Sequence, residues 1–166
     1  MIRILVISDT HGRIGNLKHI LPIVRPDYLI HLGDVGNDVA AIEAAAGCPC
    51  AFVAGNNDFF SGLPSERVAV YGGVTVFMTH GHRYYVNSQK HSLRQAAEAA
   101  GAQVALFGHT HVPLILTEQE DAQYHGPDLI NPGSLSLPRQ ADHKPTYLVM
   151  TIGENKERSY ELHRVE

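Results

Sequence analysis

Asp9 and His11 stand one residue apart directly after the apolar run Ile2 to Ile7. A run rich in β-branched residues that stops at a carboxylate, with an imidazole two positions on and then Gly12, predicts a buried strand delivering two metal-ligand types into one loop. A single Asp-x-His is weak, because both residues are common in polar loops. The pattern recurs, however. Leu29 to Leu32 leads into Gly33 and Asp34, and Ala51 to Ala54 into Gly55, Asn56, Asn57 and Asp58. Val74 to Met78 leads into Thr79, His80, Gly81 and His82, and Val104 to Phe107 into Gly108, His109, Thr110 and His111.

Carboxylates at Asp9, Asp34 and Asp58, the Asn56 amide and several imidazoles make a mixed nitrogen and oxygen donor set. Such a set suits borderline divalent ions: manganese, iron, nickel, cobalt or zinc. It is too large for one ion. Two ions about 3.5–4 Å apart that share a carboxylate are the arrangement that clamps the attacking and leaving oxygens in phosphoryl transfer. A hydroxide held between two cations has a depressed pKa, so it is a nucleophile near neutral pH without a protein base. The chemistry expected is hydrolysis of a phosphate ester.

The elements that must position these residues follow from the hydrophobic spacing. Ile14, Leu17, Ile20 and Leu21 predict an amphipathic helix ending near Pro22 and Pro26. Asp27 to Leu32 reads as a second strand, Asn37 to Ala46 as a small-residue helix closed by Gly47, and Cys50 to Val53 as a third strand. That alternation predicts a parallel α/β core, whose sites lie at the carboxyl ends of the strands. Arg67 to Tyr71 and Val74 to Thr79 flank Gly72 and Gly73, a hairpin signal that adds antiparallel pairing. Asn87 to Ala100 predicts a helix ending at Gly101, and Gln103 to Phe107 the next strand. From Leu114 onward, Leu114 to Thr117, Asp128 to Asn131, Pro145 to Ile152 and Glu157 to His163 are short strands, expected to build a second sheet packed on the first.

At 166 residues the expectation is one domain, 1–166, with a real core. Apolar residues at 44% and charged residues at 18% describe a globular chain. A net charge of -4 gives no basic field for long nucleic acids. No apolar stretch has the length of a membrane span, and the first residues lead straight into a strand, so a cytoplasmic location without membrane contact is expected. Cys48 and Cys50, separated by Pro49, lack zinc-knuckle or thioredoxin spacing and read as small apolar residues entering a strand. Of eleven histidines, His11, His80, His82, His109 and His111 lie in the strand-end motifs, whereas His31 lies inside a strand as a hydrogen-bonded core or supporting residue.

The ordered set Asp9-x-His11, Gly33-Asp34, Gly55-Asn56-x-Asp58, His80-Gly81-His82 and Gly108-His109-x-His111 resembles the calcineurin-like metallophosphoesterase superfamily. The small size, with Asn131, Pro132, Gly133 and Ser134 followed by Leu135 to Arg139, is similar to its compact prokaryotic phosphodiesterases. The resemblance implies an α/β fold, a four-layer αββα sandwich with two mixed β-sheets. It also implies two divalent ions, manganese first among them, and a small phosphodiester substrate. Asp9, His11 and His111 would hold one ion, Asn56, His80 and His109 the other, with Asp34 bridging. The departure is Asn57, where many larger relatives carry a histidine thought to protonate the leaving group, an acid role no amide fills near pH 7. Activated or aryl diesters are therefore expected over alkyl monoesters. His82 stands where it could take the acid role or could orient a ligand, and Asp58 is expected to anchor the Asn57 loop rather than bind metal. Arg83, Tyr84, Tyr85 and Arg139 fit either substrate contact or surface packing.

A retromer subunit of the same superfamily serves as an interaction scaffold, which gives the alternative reading, a non-catalytic scaffold. The presence of all seven ligand residues, Asp9, His11, Asp34, Asn56, His80, His109 and His111, argues against it. An iron facial triad needs three ligands, and this set has more than twice that number. The sequence leaves the native substrate and the oligomeric state, homo-oligomer included, open.

Overall fold

A computed structural model describes residues 1–166. Its strands are β1 (Ile2–Ile7), β2 (Tyr28–His31), β3 (Cys50–Phe52), β4 (Glu66–Tyr71), β5 (Val74–Thr79), β6 (Val104–Leu106), β7 (Leu114–Leu116), β8 (Asp128–Asn131), β9 (Thr146–Ile152) and β10 (Arg158–Arg164). The helices are α1 (Gly15–Val24), α2 (Val39–Ala46) and α3 (His91–Ala99), with one 3-10 turn at His82–Tyr84.

The strands form two five-stranded sheets, ordered β10-β9-β1-β2-β3 and β4-β5-β6-β8-β7. Both are mixed. In the first, β1, β2 and β3 run parallel while β9 and β10 are antiparallel. In the second, β5, β6 and β8 run parallel, edged by antiparallel β4 and β7. Side-chain alternation sorts the apolar residues into layers. Ile4 and Val6 of β1 meet Val76 and Met78 of β5 and Leu106 of β6 in a core between the sheets. Leu5 and Ile7 face the other way, against Leu17, Ile20 and Val24 of α1 and Ile42 of α2. Phe77, Ala105 and Leu129 pack outward on Leu93 and Ala97 of α3. The order is helices, sheet, sheet, helix: the four-layer α/β sandwich.

The hairpin falls where the glycines place it, with Tyr71 opposite Val74 and Gly72 and Gly73 at φ 56° and 82°. Three expectations shift. Helix α1 continues through Pro22 to Val24 and stops at Arg25 in a left-handed conformation. Helix α3 begins at His91 rather than Asn87, because the preceding segment is occupied by a turn in which Ser88 and Gln89 donate to the Tyr85 carbonyl and Gln89 Oε1 receives the Ser92 N–H. The C-terminal hairpin does not join the second sheet. Strand β9 pairs with β1, and it is buried on both faces, Leu148 and Met150 toward the intersheet core and Tyr147 and Val149 toward the helices. Such a strand needs an interior position, and the edge of the parallel core beside β1 provides it.

Candidate metal centre

Parallel strands β1, β2, β3, β5, β6 and β8 release their following loops at one end of the sandwich, and there the motif residues converge. Asp9, His11, Asp34 and His111 each offer one donor atom within 4.8 Å of all the others. His11 Nε2 and His111 Nε2 lie 3.3 Å apart, and His111 Nε2 is 3.2 Å from Asp9 Oδ1. His80 joins from β5, its Nε2 3.5 Å from Asp34 Oδ2 and 3.6 Å from Asp9 Oδ1. Asn56 Oδ1 is 3.1 Å from His80 Nε2, and the His109 ring centroid is 5.1 Å from that of His80.

The backbone makes this convergence unusual. Asp9, His11, Asp34, His109 and His111 all have φ between 49° and 70°, the left-handed region that L-residues rarely occupy and that clusters at functional sites. Glycine makes the close approach feasible. A Cβ at Gly55 would overlap Asp34, and one at Gly108 would overlap Ser8 and lie 2.8 Å from Asp9 Oδ2.

Hydrogen bonds fix the donor atoms. Asp9 Oδ2 accepts from Ser8 Oγ at 2.6 Å and the His109 N–H at 3.0 Å. Its Oδ1 is buried with no hydrogen-bond partner, a bare oxygen aimed at the imidazoles. His80 Nδ1 donates to the Leu32 carbonyl and His111 Nδ1 to the Leu137 carbonyl, at 2.7 and 2.6 Å. Because a carbonyl can only accept, both rings carry a proton on Nδ1, so that in the neutral form the Nε2 lone pair turns inward, the arrangement typical of metal-ligating histidines. An unpartnered carboxylate oxygen facing inward lone pairs fits a divalent cation.

Charge follows the same geometry. Burial pushes the Asp9 carboxyl up, but the close approach of His111, the His80 charge and the Ser8 hydroxyl outweigh it and leave it below the ordinary range. Burial likewise opposes ionisation of Asp34, and the His80 contact and Asn57 bonds reverse it, holding it far below. His80 is disfavoured as a cation by burial yet raised overall by Asp34 and Asp9.

The remaining predicted residues divide. Asn57, exposed, gives its N–H to Asp34 Oδ1 and its amide to Oδ2, both at 2.9 Å. Asp58 turns away from the centre and accepts backbone N–H groups from Asp34, Val35, Gly36 and Gly55. The His82 ring lies 5.5 Å from His80 and 6.0 Å from His109, and its Nδ1 is buried without a partner. Arg83 bonds Ser65 and Tyr84 bonds Glu66, both directed to the β4 side. Arg139 is exposed, and its backbone N–H meets the His111 carbonyl. His31 is fully buried, Nδ1 accepting the Gly33 N–H and Nε2 meeting Thr10 Oγ1.

Several supports escape a reading of side-chain types. The Leu32 and Leu137 carbonyls are backbone atoms, visible only in the fold. Ser8 was legible as a polar residue at a strand end, and Asn131 and Ser134 as a polar turn. Asn131 Nδ2 donates to the Gly108 carbonyl and Thr110 Oγ1, and Ser134 Oγ donates to the Asp9 carbonyl.

Residues 2–155 match the family model of the calcineurin-like phosphoesterase superfamily domain. A probable metallophosphoesterase of Bacillus subtilis, YsnB, is 31% identical over 153 residues, covering 90% of this chain and 83% of that protein. A predicted phosphoesterase of Streptococcus pneumoniae superposes with a TM-score of 0.75 at 24% identity over 98% of both chains. Vps29 of Entamoeba histolytica superposes at 0.77 with 19% identity over 99% of both, a likeness of fold.

Proposed function

The chain belongs to the calcineurin-like phosphoesterase superfamily, and from that premise we propose that it is a phosphodiesterase working with two divalent ions, manganese first among them. The observation that carries the reading is the double approach to Asp34: His11 Nε2 at 3.6 Å and His80 Nε2 at 3.5 Å reach the same carboxylate oxygen from different loops. A carboxylate so placed suits a ligand common to two ions. On this reading Asp9, His11 and His111 serve one ion, Asn56, His80 and His109 the other, and Asp34 both. Bound there, the ions would supply positive charge against the phosphate oxygens and acidify a water for attack.

The chain's own residues orient and exclude. The Leu32 and Leu137 carbonyls keep the His80 and His111 rings from rotating, and Asn57 holds both oxygens of Asp34. His82 is the residue left to handle a proton. Burial, then the His80 charge, lowers its pKa, so it stands neutral at pH 7 and accepts or relays a proton rather than donating one. With an amide at Asn57, no side chain here is a strong acid for the leaving group. Diesters of acidic alcohols, aryl above alkyl, are the substrates this supports.

The test is hydrolysis of a chromogenic aryl phosphodiester by metal-stripped protein titrated with manganese, nickel and zinc, beside Asp34→Asn. Activity should appear with metal and fall in the variant by more than the roughly 10–100-fold that loss of a supporting residue costs. Full activity in Asp34→Asn would remove the shared-ligand reading. Tight metal binding with no hydrolysis under any metal would favour an interaction scaffold.

A further inference from the structure

Nine large apolar side chains are left exposed, and five of them, Phe59, Phe60, Tyr85, Val112 and Leu137, stand on the loops that carry or support the candidate ligands. The other four, Met1, Ile23, Val68 and Val70, lie at the chain start, on α1 and on β4. Phe59 and Phe60 follow Asn56 by three and four residues, at the two central positions of a turn closed by the Ser61 N–H on the Asp58 carbonyl at 3.4 Å.

The turn stands on a fixed base. Asp58 is tied to the backbone of Asp34, Val35, Gly36 and Gly55, Asn57 is tied to Asp34, and the Ala54 N–H on the Pro64 carbonyl closes the loop at 2.8 Å. At its tip, Phe60 has φ 59° and is fully exposed, at 105%. A bulky residue in that region is disfavoured, and glycine or asparagine would occupy it with less strain. The ring repays this with no burial inside the chain. A strained and uncovered aromatic on the loop that carries a candidate ligand is a group whose partner comes from outside.

We propose that Phe60, with Phe59 beside it, is a specificity-determining residue: an aromatic platform on which the ring of an aryl or nucleoside group esterified to the substrate phosphate stacks. This rests on the phosphodiesterase reading above. A flat ring is the chemistry such a platform selects, because stacking on an aromatic tolerates any base or aryl face. An anionic lipid surface would call for a basic field, and the chain carries a net charge of -4.

The test is binding of adenosine 5′-monophosphate and glycerol 3-phosphate to manganese-loaded protein by calorimetry, which needs no turnover. The wild type should prefer the nucleotide by about ten-fold, and Phe60→Ala should bring the ratio of the two affinities close to one. Val68→Ala, an exposed apolar residue on β4 outside the ligand-bearing loops, should leave the ratio as it was. Phe60→Asn should also lose the preference while raising Tm, since it relieves the left-handed strain. Glycerol phosphate binding with no preference for the nucleotide, or a ratio unmoved in Phe60→Ala, overturns the inference and leaves the phosphodiesterase reading standing. Failure of both phosphates to bind metal-loaded protein overturns both. Attachment to phosphatidylcholine vesicles that Phe60→Ala abolishes, with the nucleotide preference intact, would assign the rings to a lipid interface and overturn it as well.

Discussion

Burial and hydrogen bonding beneath the centre set the protonation of His31, where the consequence is simplest. Its Nδ1 accepts the Gly33 N–H at 3.1 Å, which leaves Nε2–H to donate to Thr10 Oγ1 at 2.9 Å, and Thr10 passes the chain on to the Val35 carbonyl. A second proton on Nδ1 would face the Gly33 donor head on. Burial is the largest influence, and it lowers the pKa to about 4 against the nearby carboxylates. The unfolded chain therefore binds a proton between pH 6.5 and 4 that the folded chain refuses, and stability falls as pH drops through that window. Integrated over it, the loss is about 3 kcal/mol. His82 and His109 are lowered too, so the informative quantity is the difference from His31→Gln, measured as urea stability between pH 7 and 4.5. The steeper acid slope of the wild type should flatten in the variant. Parallel slopes would show that the His31 environment tolerates the cation.

Among the elements, the β2 and β3 loops are joined through one side chain. Asp58 gathers N–H groups from Asp34, Val35 and Gly36 on one loop and Gly55 on its own, so the position of Asp34 depends on a carboxylate that never faces the centre. Asp58→Asn replaces one acceptor oxygen with an amide that points a donor at donors. It should cost about 2 kcal/mol of folding stability. It should also weaken manganese affinity by roughly 10–100-fold, as loss of a supporting residue does. Denaturant midpoints and calorimetry check the two together; a stability loss with unchanged manganese affinity would mean that Asp34 holds its place without Asp58. The loops at the strand ends were legible because buried parallel strands read as continuous apolar runs, and the glycines that permit close approach follow at once, whereas the anchoring role of Asp58 came with the family resemblance. The left-handed backbone at Asp9, His11, Asp34, His109 and His111 was not legible, since nothing in an aspartate or histidine marks its φ. The sheet that takes β9 was equally hidden. A strand apolar on both faces announces an interior position but names no neighbour.

For the molecule as a whole, the two sheets carry their load of ionisable groups to one end of a shared core. Without metal, Asp9 and Asp34 ionise beside one another, and His80 is the group that compensates them. Although burial opposes it, contact with Asp34 and the Asp9 charge raise its pKa. The stability His80 contributes as a cation is fully present below its unfolded value of about 6.5 and is lost as pH rises through the raised folded value. On the proposed assignment of His80 to an ion, cation binding needs the same Nε2 neutral, so metal and proton compete for one atom. Metal should stabilise the folded chain by about 2.7 kcal/mol at a free concentration a hundred times Kd. For a chain of this size each kcal/mol moves Tm by roughly 2–4 °C, so a rise of about 8 °C is expected near neutral pH. Competition sets the direction with pH: at fixed manganese the gain should grow as pH rises through the raised His80 value and the proton leaves. Scanning calorimetry with and without manganese across that rise in pH measures it. A gain independent of pH would mean that no proton on His80 competes with the metal, and it would favour the smaller grouping of Asp9, His11, Asp34 and His111 around one ion.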